Sequence, residues 1–154
     1  MTFLAGEVVT AAKLNSEHPL GRIGTATSTG AVTLNDTNPH DTDASVVVNN
    51  TDTVTRRYMA RSRMRFNMAT GTNGIYRPAV SNGSGLNLGS TIVQLYTNVT
   101  GGPGQIGGAQ EYHFTLTAGT SQTVAAAGWR VSGGGTTDTA LAAAVIDVYD
   151  LGPA

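Results

Sequence analysis

The sequence predicts an all-β protein, built as an antiparallel, jelly-roll-like β-sandwich of about eight strands. Apolar and polar residues alternate along short segments, which is the spacing of half-buried strands. Clusters of glycine, asparagine and aspartate separate these segments at intervals typical of turns between strands. No segment beyond residue 20 has the apolar period of a helix. We expect one sandwich domain over residues 21–154, preceded by an attachment segment over residues 1–20.

The composition excludes several classes of function. Charged residues make up 12% of the chain and the formal net charge is −1, so the overall charge favours neither nucleic acid nor an anionic membrane as a partner. The absence of cysteine excludes disulfides, thiolate catalysis and cysteine-ligated metals. No apolar run is long enough for a membrane-spanning helix. We therefore expect no nucleic-acid partner and no membrane insertion.

The attachment segment is predicted to be partly helical and partly extended. Helix-forming residues follow a candidate N-cap at Thr10, and Pro19 limits the helix to one or two turns. A helix this short is marginal unless it packs on something. The segment either packs on its own domain or docks on another protein or on sister copies. Its candidate partner-binding residues are Phe3, Leu4, Val8, Val9, Leu14 and Asn15.

The clearest predicted strand covers residues 54–68. Its residues at even positions from 58 to 68 are apolar or small and are predicted to face the core. The opposite face carries Arg57, Arg61, Arg63 and Arg65. These arginines either pair with Asp147, Glu111 or Asp138 on neighbouring strands, which we favour, or line a subunit interface. Arg61 and Arg63 are accordingly candidate partner-binding residues as well.

Seven further strands are predicted, at residues 31–34, 46–48, 75–80, 91–99, 111–117, 122–131 and 140–149. The rest of residues 21–55, and the glycine-rich stretches 101–108 and 133–137, are predicted as loops and turns. In the strand over 122–131, one face carries Ala125, Ala127, Trp129 and Val131. We expect Trp129, the lone tryptophan, to anchor a core or an interface, with stacking on a sugar as the alternative.

Two patterns approach known functional motifs without their required context. Residues 102–107 match G-x-G-x-x-G, but a strand is predicted to follow where dinucleotide binding needs a helix. Asp36, His40, Asp41 and Asp43 cluster without the glycine and distal glutamate of an EF-hand loop. No Gly-x-Ser-x-Gly elbow is present, and no Ser-His-Asp arrangement can be argued. We predict no enzymatic activity, no cofactor and no metal site.

Both ends of the chain resemble small structural proteins of tailed bacteriophages, of the minor tail or fibre-tip type. The opening reads Phe3-Leu4-Ala5-Gly6-Glu7-Val8-Val9-Thr10-Ala11-Ala12-Lys13-Leu14-Asn15, similar to the F-x-A-G-E-V-L-T-A-x-x-L-N start of such proteins. The ending, Val145-Ile146-Asp147-Val148-Tyr149-Asp150-Leu151-Gly152-Pro153, is similar to their last strand and its D-L-G-P stop. Looser matches lie at residues 56–66, 112–120 and 129–135, in the same order along the chain.

The resemblance implies a virion structural protein that attaches through residues 1–20 and displays its sandwich outward, as a homotrimer. Its implied partners are other virion proteins of the tail or capsid, and a glycan of the host cell surface. Two placements stay open: a minor tail or tail-fibre-tip protein for assembly and adhesion, or a capsid decoration or head-fibre protein that docks on the shell. A free enzyme or sugar-binding module is the third alternative.

Overall fold

The computed structural model of the protein describes residues 21–68, 73–89, 95–98, 104–135 and 137–154. These residues form strands and no helix. The strands are β1 (Gly21–Thr27), β2 (Val32–Thr33), β3 (Pro39–Asn49), β4 (Arg56–Met68), β5 (Asn73–Ser81), β6 (Leu95–Asn98), β7 (Gly104–Leu116), β8 (Ser121–Gly133), β9 (Thr139–Ala140) and β10 (Val145–Pro153). The attachment segment lies outside the described residues, so its helix and the division at residue 20 stay predictions.

The strands form two antiparallel sheets. In the first sheet, β4 pairs along its whole length with β7 on one side, and with β10 and β9 on the other. Beyond these, β1 pairs with β10 and β2 with β9. The second sheet has the order β3-β8-β5-β6.

Strands from the first half of the chain pair with strands from the second half, and this nested order of pairs defines the fold. β1 pairs with β10, β3 with β8, β4 with β7 and β5 with β6, as in one long antiparallel ribbon folded over on itself. The ribbon places β1, β10, β4 and β7 in one sheet and β3, β8, β5 and β6 in the other, which is the strand order of a jelly roll. The predicted fold class, an antiparallel jelly-roll-like sandwich, is therefore confirmed.

Both described chain ends lie at one end of the sandwich. Gly21 of β1 pairs with Asp150, and Pro153 of β10 pairs with Arg56. We call this the terminal end. At the opposite end, which we call the distal end, β1 finishes at Thr27 beside Val145. A segment that precedes β1 therefore joins the sandwich at the terminal end.

The core lies between the sheets and is centred on β4. The six inward residues of β4, from Tyr58 to Met68, are buried, as their alternation predicts. Tyr58 stacks on Phe114 of β7, and Phe66 reaches Tyr76 of the second sheet, each with 5.5 Å between ring centroids. Burying a large apolar side chain contributes about 2 kcal/mol, so this row is a main source of stability.

Four predicted boundaries are wrong. β3 begins at Pro39 and not at residue 46, and the other three errors lie where the local sequence is poor in strand formers. β1 lies in a stretch predicted as loop, and the last strand begins at Val145 and not at residue 140. β7 begins at Gly104, inside the predicted glycine loop, because Gly104 to Gly108 pair with Met68 to Met64 of β4. A long partner strand holds these glycines extended although their own propensity is low.

β8 is buried on both faces. Val124 and Ala126 belong to the core, and Ala125 and Ala127 on the opposite face are buried too. The face predicted for Ala125, Ala127, Trp129 and Val131 is therefore the outer face of the second sheet. The segment of residues 82–89, which we call the cover segment, crosses this face at Gly85 and returns to β5, where Asn87 bridges Ser81. Its Gly85 amide donates to the Asp41 carboxylate at 2.8 Å, and the Ser81 hydroxyl donates to the same carboxylate.

Candidate interaction surface on the first sheet

The outer face of the first sheet concentrates positive charge. Arg57, Arg61, Arg63 and Arg65 share it because alternate residues of β4 point the same way, and Arg22 joins them from β1. Among the described residues, this face carries two carboxylates, Glu111 of β7 and Asp147 of β10. Five guanidinium groups therefore exceed the carboxylates by three, on a chain whose formal net charge is −1.

Two of the arginines of β4 are paired within the sheet. Arg63 Nη2 donates to Asp147 Oδ2 at 2.7 Å, and Arg61 Nε lies 3.7 Å from Glu111 Oε1. Arg22 Nη1 lies 3.5 Å from Asp147 Oδ1, which is too long for a hydrogen bond and leaves that buried oxygen an electrostatic contact only. The prediction that these arginines pair with Asp147, Glu111 or Asp138 is confirmed for Arg61 and Arg63 with the first two, whereas Asp138 is buried and accepts from the Tyr76 hydroxyl.

The other two arginines on the outer face of β4, Arg57 and Arg65, form no ion pair with any residue that the structure describes. Arg57 lies opposite Thr115, and Arg65 lies opposite Gly107, so neither has a carboxylate across the strand pair. Both side chains are exposed. Neither charge is neutralised by a described carboxylate, whereas Arg61 and Arg63 each contact one.

A depression of about 450 Å³ opens beside Arg65 on the distal half of this face. It exists because the facing positions are small: Gly107 lies opposite Arg65 and Ala109 opposite Arg63. A Cβ on Gly107 would lie 3.2 Å from Arg65 Cγ, so the aliphatic stem of Arg65 crosses directly over the glycine. Ala143 and Val145 line the other side.

Ala143 is held in a conformation that alanine rarely adopts. Its φ is 65°, and it is the one residue besides glycine with positive φ in the described part of the chain. Ser28 fixes this bend: its carbonyl accepts from the Ala143 amide at 3.0 Å, and its hydroxyl accepts from the Ala144 amide at 3.0 Å. Strain of this kind concentrates at functional sites.

Trp129 lies on the other sheet, away from Arg61 and Arg63. Its Nε1 donates to the Thr37 carbonyl at 2.8 Å, and the Arg77 guanidinium lies 5.3 Å from the ring centroid. Trp129 is half-buried on the outer face of the second sheet, where it anchors the segment around Thr37. The predicted partner-binding residues Phe3, Leu4, Val8, Val9, Leu14 and Asn15 lie outside the described residues.

The acidic residues of the predicted cluster each serve a separate local contact. Asp36 accepts from the Asn38 amide and lies 2.9 Å from His40 Nε2; the Asn38 bond, above all, lowers the Asp36 pKa. Hydrogen bonds from the Thr29 hydroxyl and amide lower the Asp43 pKa. Asp41 holds the cover segment. Within the described ranges, no three histidine or acidic side chains come together as a metal site would need.

Alternation alone missed a second group of charged residues, because these face inward. Arg56 is 3% exposed; its Nε donates to Asp150 at 2.9 Å and its Nη1 to Asp52 at 2.7 Å. The hydrogen bond with Asp150, first of all, raises the Arg56 pKa. These residues line a groove of about 570 Å³ at the terminal end, together with Ile23 and residues 46–52. Since both carboxylates already neutralise Arg56, the group ties β4 to β10.

Comparisons with known proteins bear on the fold only. No family model matches the chain, and no curated protein sequence does. Among solved structures, the chain is similar to the Eiger TNF from S. frugiperda, at 14% identity and a TM-score of 0.47, over 87% of this chain and 92% of that chain. It is also similar to a structure of infectious bursal disease virus Gt strain, at 10% identity and a TM-score of 0.26, over 86% of this chain and 42% of that chain. At these values neither likeness bears on function. The described residues include no helix able to cross a membrane.

Proposed function

We propose that the protein is a structural component of a tailed-bacteriophage virion, a minor tail or tail-fibre-tip protein that displays its sandwich for assembly and for adhesion to the host surface. The observation that carries the proposal is the pair of terminal sequences, over residues 3–15 and 145–153, which resemble such proteins at both ends of one chain. Residues 145–153 form β10, which pairs with β1 on one side and with β4 on the other in the first sheet.

The geometry of the termini supports this proposal. Gly21 begins β1 at the terminal end, so in the proposed arrangement this end is turned toward the particle and the distal end away from it. The distal half of the first sheet, with Arg65 and its depression, is then turned outward. A capsid decoration or head-fibre protein is the second candidate, since residues 1–20 would dock on a shell in the same way.

Immunogold electron microscopy of virions separates the two candidates. With antibodies to the full chain, we expect gold at the tail tip. Gold on the heads alone would favour the capsid decoration protein, and virions without gold, from a lysate that contains the protein, would contradict a virion component of either kind.

A further inference from the structure

We infer that the distal depression beside Arg65 binds the carboxylate groups of an acidic polysaccharide. The inference deepens the adhesion role proposed above and rests on it for its biological setting. The charge of the site favours this ligand: Arg65 is exposed, forms no ion pair with a described residue, and lies on a face with three excess positive charges. A guanidinium group presents a planar pair of donors that matches a carboxylate in a bidentate geometry.

The shape of the depression points to a sugar as the carrier of that carboxylate. Its volume of about 450 Å³ is within the range of small-ligand sites. Gly107, Ala109, Ala143 and Val145 line it with small apolar groups, against which the faces of a sugar ring can lie. None of the described residues that line it is aromatic, so they supply no stacking platform of the kind on which single-stranded nucleic acid depends.

Two neighbours complete the site. Arg63 is bonded to Asp147 through Nη2, yet its side chain is 51% exposed and lines the same depression, so a second guanidinium group lies at the site. Ala143 keeps its methyl group at the rim in a strained conformation that Ser28 enforces. The fold thus holds the rim in place before any ligand binds, which lowers the entropy cost of binding.

Arg57 provides a matched control. It lies on the same strand and face, is equally unpaired among described residues, and differs from Arg65 in its place near the terminal end. Eight residues of strand separate the two, which is about 27 Å. At physiological salt the Debye length is about 8 Å, so the charge of Arg57 is screened from the depression.

The test measures binding of the full-length protein to short alginate oligomers, which are polymers of uronic acid, by isothermal titration calorimetry. We expect binding by the natural protein, a loss of at least about tenfold in R65Q, and a change within about twofold in R57Q. A109L, which fills the depression without changing charge, should weaken binding as R65Q does. Circular dichroism confirms that each variant is folded.

Three results would overturn the inference. One is no binding of alginate by the natural protein at physiological salt, the condition under which the variants are compared. Another is an equal loss in R57Q and R65Q, which would mean diffuse charge attraction. The third is equal binding of alginate and oligothymidine, which would mean that any polyanion suffices; neutral dextran should not bind. Immunogold labelling of virions tests the proposed function independently, so either idea can fail without the other.

Discussion

At Gly134 the chain has no room for a side chain. Its φ is 69°, and a Cβ there would lie 2.3 Å from the Tyr76 hydroxyl and 2.5 Å from Asp138 Oδ2, two groups that hydrogen-bond to each other. Gly119 has nearly the same φ, 72°, with nothing within 4 Å of a Cβ. We expect G119A to lower the free energy of unfolding by about 1 kcal/mol, from backbone strain alone. In urea denaturation, G134A should lower the free energy of unfolding by at least ~2 kcal/mol more than G119A does. Equal losses of stability in G119A and G134A would contradict the crowding at Gly134.

Two buried serines predict opposite responses to the same substitution. Ser62 and Ser81 are both fully buried, but the Ser62 hydroxyl has no partner among the described residues, whereas Ser81 bonds to Asp41 and to the Gly83 amide. We expect S62A to leave the free energy of unfolding unchanged or to raise it by up to ~1 kcal/mol, because an unsatisfied hydroxyl is removed. S81A should lower it by ~1–3 kcal/mol. Thermal and urea denaturation measure both, and a loss in S62A as large as that in S81A would contradict the prediction.

Tyr76 predicts an alkaline limit to stability. Burial, and then its hydrogen bond with Asp138, raises the Tyr76 pKa above its ordinary value of 10.0. The unfolded chain therefore loses this proton first, so the contribution is complete below pH 10 and is lost as the pH rises further. We expect the urea midpoint to fall between about pH 10 and 11, and to fall less steeply in Y76F. Tyr58, whose pKa burial also raises, should account for part of the remaining slope.

The cover segment depends on one carboxylate. The Asp41 carboxylate accepts hydrogen bonds from the Gly85 amide and the Ser81 hydroxyl. Further along the segment, the Leu88 amide donates to the Val80 carbonyl at 2.8 Å. In D41A we expect hydrogen exchange at Leu88 to become at least about tenfold faster, because the segment lifts from the outer face of β8. D43A removes the same charge from the same strand but frees the segment around Thr29, so exchange at Leu88 should stay unchanged. Equal acceleration in both variants would mean that the segment is held in another way.

How far the sequence predicts an element depends on whether its two faces differ. β4 alternates clearly, so its core face and its arginine face were both predictable. β8 carries small residues on both faces, so alternation could not assign Trp129 to the outer side. The first half of β7 is rich in glycine, and its pairing with β4 decides its structure. The register between β7 and β4 also places Arg65 opposite Gly107, where it meets no carboxylate. The sequence around Arg65 contains no pattern that predicts this.

The candidate site is even less local than the strands. Arg61 and Arg63 follow from the alternation of β4, but the depression joins β4, β7 and the bend before β10. Arg22 reaches Asp147 across 125 positions of sequence because β1 pairs with the last strand. Such contacts follow from the nested topology, which the sequence indicated only as a fold class.

At the scale of the whole molecule, the proposed virion role predicts a homotrimer in solution. Multi-angle light scattering of the full chain should give three times the 15.8 kDa chain mass. A trimer that persists after removal of residues 1–20 would locate the interface in the sandwich. A monomer at every concentration would contradict the homotrimer and favour a decoration protein held by its shell.

The adjacency of β1 and β10 also decides how the sandwich would respond to mechanical force. Gly21 and Asp150 are the first of six paired positions that continue to Thr27 and Val145. If force pulled on Gly21 and Asp150, which lie together at the terminal end, the strands would peel apart one hydrogen bond at a time. If the chain were tethered before Gly21 and loaded at the distal end, the force would run along β1, and all of these bonds would resist together in shear. A sandwich that is anchored at its terminal end and pulled at its distal end is therefore loaded along β1, the direction in which these hydrogen bonds resist force most strongly.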